Sequence, residues 1–360
     1  MTETRAEILL PTADLAEDIR FWTKKLGFRM DTIYPADNPQ VAVFSGHGLR
    51  LRIDVAAETA PGVVRLLTDD PSAFPEAPLI APNGTRVEVH PLNPPFHLPE
   101  TEHAFVVRRL ADQAPWIIGR AGMHYRDLIP TRLGGSIIAS HIRIPDGGPV
   151  PDVVHYHTVG FQLIFCYRGW VDLVYEDQGP PFRLEAGNCV IQPPEIRHRV
   201  LFASDNIEVI EIGVPAEHVT TIDHDMVLPN AHLDPERRFK GQKFVHHRSE
   251  DAVWTAHRLD GFIRRDTTIA AHTENVAGVH VLRLGDGPTR WTTHDADILF
   301  TFVMEGRMTL HGEGKDPHSL GPGDAFVIPP GFPTLYAEPS VDIELLEVSL
   351  PGSVRTSRRD

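Results

Sequence analysis

The sequence predicts a mainly β protein, with two tandem double-sheet barrels preceded by a small α+β module of βαβββ order. Three observations carry this expectation. Proline (32 residues) and glycine (28 residues) cluster between short β-branched and aromatic runs, as in "QPPEIRH", "RIPDGGPVPD" and "VIPPGFP". The later part of the chain repeats itself: "YRDLIPTRLGGSIIASHIRIPDGG" at 125–148 parallels "IRRDTTIAAHTENVAGVHVLRLGDG" at 263–287, aligning Asp127 with Asp266 and His141 with His280. One amphipathic helix, "DLAEDIRFWTKKLG", stands near the N-terminus between strand-like runs.

A length of 360 residues allows two or three domains, each able to bury a core. Lys and Arg total 34 against 49 Asp and Glu, and the net charge of -15 would repel a phosphate backbone, so nucleic acid is not expected as a partner. The basic residues Arg355, Arg358 and Arg359 read as a frayed tail. Two cysteines, Cys166 and Cys189, cannot form a disulfide framework. No signal-peptide pattern and no apolar run of membrane-spanning length is present, so the expected location is cytoplasmic with no membrane association.

Residues 1–92 form the first module. Strand "AEILLP" leads to a helix capped by Asp14 or Thr12, which places Leu15, Ile19, Phe21, Trp22 and Leu26 on or near one face and stops at Gly27. Strands "FRMDTIY", "VAVFSG" and "LRLRIDV" follow. The segments "LPTADL" and "FWTKKLGF" resemble the module of the vicinal oxygen chelate (glyoxalase-like) family. Only one module is complete, and "LIAPNGTRVEVH" at 79–90 reads as the closing strands of a second. The family's ligand places would fall on Glu7 and Glu88, which read more simply as exposed strand glutamates. Residues 93–120 are a proline-rich linker and docking segment, 121–220 the first barrel, 221–262 a connector with the doublet His246-His247, 263–351 the second barrel and 352–360 a tail.

On a strand, residues i and i+2 share a face, so His155 and His157 both point into a barrel while Tyr156 points away. Gln162 returns on the next strand, and the turn after "VIQPPEIRH" delivers His198. Three neutral imidazoles with open positions suit one divalent transition metal: iron(II), manganese, nickel, copper or zinc. This spacing, His155-Tyr156-His157, Gln162 and Gly169, then Gly187, Pro193, Glu195 and His198, resembles the two motifs of the cupin family, with Gln162 in a glutamate place and Glu195 in a glycine place. The resemblance covers about residues 121–351 and implies double-stranded β-helix (jelly-roll) barrels. Gln162 either ligates through its amide oxygen or hydrogen-bonds a bound water or substrate. Gln162, Tyr167 and His141 are the candidate catalytic residues, with Gln192 and Cys189 as further candidate lining, each also readable as packing. Arg126 and Arg197 are candidates for pairing a substrate carboxylate or for salt bridging.

In the second barrel the same places hold Thr292, His294, Leu299, Gly306 and Thr334, while Gly323, Pro329, Pro330 and Gly331 keep the turn. That set cannot hold a metal well, so the second barrel reads as structural. A two-barrel chain with its histidine site in the first barrel resembles the gentisate and salicylate ring-cleaving dioxygenases. The resemblance implies an iron(II) dioxygenase acting on a small oxygenated substrate that chelates the metal, such as a hydroxylated aromatic acid. The alternatives are a non-oxidative metal-dependent isomerase, hydrolase or lyase, and a non-catalytic barrel that binds a small ligand. Barrel edge strands and the incomplete first module point to a homodimer.

Overall fold

The computed structural model describes residues 4–112 and 115–359, so Gln113 and Ala114 of the linker and Asp360 of the tail lie outside the described residues. The chain divides into two compact units, Met1–Phe96 and His97–Asp360.

In the first unit, strand Ile8–Pro11 runs into helix Leu15–Arg20, which continues as a wider turn over Phe21–Lys25. The Asp14 side chain caps the helix by accepting from the Glu17 N–H (3.1 Å), and Gly27 ends it at φ +70°. Strand Leu49–Asp54 pairs parallel with Ile8–Pro11 and antiparallel with Val41–Gly46, leaving Arg29–Tyr34 at the edge. Trp22 and Leu26 of the helical segment pack on Phe44, Leu51 and Ile53. A second sheet pairs Val63–Thr68 parallel with Arg86–Pro91, flanked by Leu79–Ile80. The first-to-last parallel pairing thus occurs twice, with a short turn at Pro71–Ala73 in place of the second helix. The opening strand Val63–Thr68 is not among the elements expected from the sequence. Glu7 is tied to Arg50 (3.2 Å), and Glu88 is shared among Arg65, Arg86 and His90.

The second unit holds two pairs of facing sheets of the jelly-roll type. In the first pair a seven-stranded sheet, centred on Phe161–Arg168 and Ile207–Val214, faces a six-stranded sheet containing His155–Thr158 and His198–Ala203. In the second pair the seven-stranded sheet centres on Ile298–Glu305 and Glu344–Leu350, and the five-stranded sheet contains Thr292–His294 and Thr334–Ala337. Strand alternation divides the side chains of each large sheet. Phe161, Leu163, Phe165 and Tyr167 join Phe300, Phe302, Met304, Val279 and Val281 in one core between the barrels. Ile164 and Cys166 turn instead into the first barrel, and Leu299 and Val303 into the second.

The duplication makes this interface reciprocal. Strand Val106–Arg108, which precedes the first barrel, pairs with Ala325–Ile328 of the second. Strand Val245–His247, which precedes the second, pairs with Cys189–Ile191 of the first, so the linker and connector are exchanged arms. The doublet His246-His247, expected in a connector, therefore lies in a sheet. Buried Arg126 donates to the Gly323 carbonyl (2.5 Å), and its repeat partner Arg265 donates to the Gly187 carbonyl (2.8 Å). The repeat register itself needs one correction: Ser140 stands opposite Asp127, and His280 opposite Asp266, so the counterpart of His280 is Ser140. A one-residue insertion before His280 moves it to the opposite face from His141.

Truncating Arg126 would strand a carbonyl and open a cavity at the interface. We expect Arg126→Ala to cost about 3 kcal/mol, read as a lower urea midpoint of unfolding. A loss under about 0.5 kcal/mol, the ordinary surface value, would contradict a structural role for the crossing arginines.

Candidate metal centre

Strand His155–Thr158 turns residues 155 and 157 inward by its two-residue period, and His198 stands directly across from His155 in the ladder. Ring centroids of the three histidines lie 4.3–5.1 Å apart, and all three side chains are buried. Tyr156 faces away, beneath the Arg197 guanidinium at 4.2 Å. The turn before His198 is seated on the histidine strand by the Glu195 N–H, which donates to the His157 carbonyl (3.0 Å). Glu195 adopts φ +67°, matching φ +72° at Gly331 of the second barrel, so the turn imposes a left-handed residue even where glycine is absent.

Each ring is oriented through its Nδ1. His155 meets the Val153 carbonyl at 2.7 Å, His198 the Ile196 carbonyl at 2.9 Å, and His157 the Thr220 hydroxyl at 2.9 Å. A carbonyl can only accept, so in His155 and His198 the proton sits on Nδ1 and Nε2 keeps its lone pair, while the Thr220 hydroxyl can accept from His157 Nδ1 in the same sense. The ligand atoms of the three histidines lie within 4.8 Å of one another. Burial lowers the pKa of all three below the usual histidine range, reinforced by His198 for His157, His155 for His198 and Arg120 for His155. Neutral imidazoles are the form that binds a metal. His155 Nε2 and, on the neighbouring large sheet, Gln162 Oε1 are buried with no protein partner. Buried polar atoms are rarely left orphaned, so the donor set fits a cation.

The histidines open on a cavity with about 630 Å³ of empty space, part of it open to solvent. Its walls are largely aliphatic, with Arg120, Tyr125, Gln192 and Glu211 as polar groups. Gln162 donates through Nε2 to Glu211 Oε1 (2.7 Å). Gln192 donates to the Tyr175 hydroxyl (2.9 Å), and Tyr175 stacks on His198. Arg120 pairs with buried Asp152, which lies 3.6 Å from His155 Nδ1. Burial, with Glu211 nearby, pushes the Tyr125 hydroxyl up to about 12. Arg120, Tyr125 and Glu211 were missed in the sequence reading. Glu211 alone left a signal, sharing strand parity with the inward residues Ile207 and Val209.

His141 and Tyr167, read as cavity residues, are instead on the inter-barrel face. His141 bonds Glu208 (2.6 Å) and Arg126 (3.0 Å), and packs on Trp116, Tyr167 and Phe302. The Tyr167 hydroxyl donates to the Met304 carbonyl (2.9 Å). Strand parity explains both: Tyr167 follows Phe161, Leu163 and Phe165, and His141 follows Ala139. Cys189 shares that face, Arg126 spans the interface, and Arg197 pairs with Asp223. Burial pushes both thiols up to about 12, which leaves them unreactive.

In the second barrel His294 bonds the Ile328 carbonyl (3.1 Å) and, among the described residues, gathers no ligand set. A different cluster, His257, His280 and Glu347, brings its ligand atoms within 4.8 Å. Here the rings are turned the other way. His257 Nδ1 accepts from the Leu259 N–H (3.3 Å), and His280 Nε2 faces the Arg264 guanidinium (3.2 Å), with Asp266 beyond hydrogen-bond reach at 3.8 Å. Both outer nitrogens therefore meet donors, which puts the ring protons on the inner nitrogens, aimed at Glu347. Against the cost of burial, Arg258 (2.6 Å) and His257 hold the Glu347 carboxyl well below its usual range. His257 Nε2 and His280 Nδ1 lie 3.3 and 3.7 Å from Glu347 Oε1 without forming hydrogen bonds, so the cluster is held chiefly by the Arg258–Glu347 ion pair.

Residues 279–347, within the second barrel, match the profile of the EutQ-like cupin domain family. No curated protein sequence matches the chain. Among solved structures, a salicylate 1,2-dioxygenase from Pseudaminobacter salicylatoxidans is 17% identical with a TM-score of 0.53, over 72% of this chain and 90% of that one. The same enzyme as a point mutant in complex with gentisate is 17% identical with a TM-score of 0.52, over 73% and 88%. A point mutant of Bacillus subtilis oxalate decarboxylase is 10% identical with a TM-score of 0.52, over 72% and 81%. At such identities the likeness is one of fold, and the fold is the expected one: mainly β, with two tandem cupin barrels.

Because the folded histidines stay neutral, the unfolded chain takes up protons that they refuse below about pH 6.5. Their contribution to stability is complete above that pH and is lost progressively as pH falls towards the depressed folded values. Metal-free wild type is expected to lose stability between about pH 7.5 and about pH 5.5 more steeply than His198→Gln, measured by urea unfolding at each pH. Equal slopes would contradict the assignment of buried neutral imidazoles.

Proposed function

We propose that the chain is a mononuclear metal-dependent enzyme whose ion is held by His155, His157 and His198, with Gln162 Oε1 as a fourth donor. The observation that carries this is the shared orientation of the three rings, each Nδ1 engaged by the protein and the ligand atoms gathered in one place. Iron(II) is the favoured ion, and manganese, nickel, copper or zinc suit the same donors. When bound, such an ion supplies Lewis acidity and, as iron(II), redox chemistry towards dioxygen.

The favoured reaction is dioxygenation of a small oxygenated substrate, such as a hydroxylated aromatic acid. The aliphatic walls offered by Ile142, Ile164, Leu173 and Val209 fit a flat apolar ring and exclude water. Arg120 gives the cavity a positive group for an anionic substituent, and the Tyr125 hydroxyl stays protonated and able to donate. The fold likeness to a salicylate 1,2-dioxygenase, including its gentisate complex, supports this choice. Glu211, a carboxylate on the cavity wall, favours the second reading, a non-oxidative lyase, isomerase or hydrolase that needs a proton acceptor. Likeness to an oxalate decarboxylase supports that reading.

Three further expectations belong to the same proposal. The first unit is a shortened glyoxalase-like module, supported by its repeated parallel first-to-last strand pairing. Its exposed edge strand Arg29–Tyr34 supports a homodimer. Among the described residues no helix is long and apolar enough to cross a membrane, in keeping with a cytoplasmic location.

Elemental analysis of untagged protein should find one transition-metal ion per chain, lost in His155→Ala and His198→Ala but kept in His257→Ala. With iron present, oxygen uptake is expected on hydroxylated aromatic acids. Zinc or manganese without oxygen uptake would move the assignment to the non-oxidative reading, and metal kept in both first-barrel variants would refute the site.

A further inference from the structure

The Gln162–Glu211 pair departs from a simple ligand set. Strands Phe161–Arg168 and Ile207–Val214 are neighbours, with Ile164 opposite Glu211 and Gln162 opposite Gly213. Gln162 is 1% exposed, and its Nε2 donates to Glu211 Oε1 at 2.7 Å. A carboxylate oxygen only accepts, so the NH2 end of the amide must face Glu211. The carbonyl end is thereby turned the other way, where Oε1 is buried with no protein partner.

The second barrel provides an internal comparison. Thr301 stands opposite Glu347 as Ile164 stands opposite Glu211, and both large strands carry the same bulge two to four residues on, so the two carboxylates occupy one repeat position. Glu347 is ion-paired with Arg258 and faces His257 at 3.3 Å, and Leu299 takes the place of Gln162. Where the metal donors are missing, the carboxylate is spent on an ion pair. Where they are present, it holds an amide.

We propose that Glu211 is a positioning residue for the metal centre: it locks the Gln162 amide so that the carbonyl oxygen, and not the NH2 group, is offered to the ion held by the three histidines. This rests on the metal-binding reading above. The direct donors are then all neutral, and one negative charge stands behind them, leaving the ion's charge available to an anionic substrate. In Glu211→Gln two amides can pair in either sense, so the lock is lost although the side-chain volume is kept.

Cobalt(II) is the probe, with affinity read by chelator competition and coordination by its visible absorption in the full-length protein. Glu211→Gln is expected to bind cobalt about 10- to 100-fold more weakly, with a shifted visible band and unchanged circular dichroism. The exchanged double variant Gln162→Glu/Glu211→Gln, which restores an amide–carboxylate pair in reverse order, should bind at least as tightly as wild type. Wild-type affinity and spectrum in Glu211→Gln, or an exchanged variant as weak as Glu211→Gln, would overturn the positioning role. Unchanged cobalt affinity in His155→Ala and His198→Ala would instead refute the underlying metal site.

Discussion

The two-residue period of one strand, Phe161–Arg168, organises the second unit. Its odd-numbered residues are large and apolar and have to be buried, which draws a second large sheet onto them and creates the core between the barrels. That commitment leaves the even-numbered side chains to the barrel interior, and Gln162 is carried inward with Ile164 and Cys166. The same rule sends Tyr167 and His141 outward. Strand parity thus decides which polar residues can meet the cavity before any chemistry is considered.

Much of this was legible in the sequence. The repeat announced two barrels, and the His155, His157 and His198 spacing marked three side chains that the structure gathers. The failures have physical causes. Short runs inside the linker and the connector carry little strand signal of their own, yet Val106–Arg108 and Val245–His247 become strands because an exposed sheet edge of the opposite barrel is available to each. The repeat alignment slipped at His141 because matching histidines outweighed an insertion that only strand register reveals. Arg120 and Tyr125 precede the motif region and reach the cavity through the tertiary fold, which no local spacing encodes.

Two histidine clusters with similar spacing have opposite chemistry because of what stands behind the rings. In the first barrel the Val153 and Ile196 carbonyls take the outer protons of His155 and His198 and free their inner lone pairs, and the Thr220 hydroxyl can do the same for His157. In the second, an amide N–H and a guanidinium reverse the tautomers and direct protons onto a carboxylate. Convergence of nitrogen atoms is therefore insufficient as a criterion for a metal site, and the partner of each remote nitrogen decides. The duplication kept one architecture while dividing tasks: a donor set open to a cavity in one copy, a carboxylate ion-paired with Arg258 in the other.

Anomalous diffraction from crystals of protein purified without added metal tests this division most directly. A single peak bonded to Nε2 of His155, His157 and His198, with Gln162 Oε1 beside it, is the predicted result. A peak within the His257, His280 and Glu347 cluster, or density for the three first-barrel histidines hydrogen-bonded only to water, would contradict it.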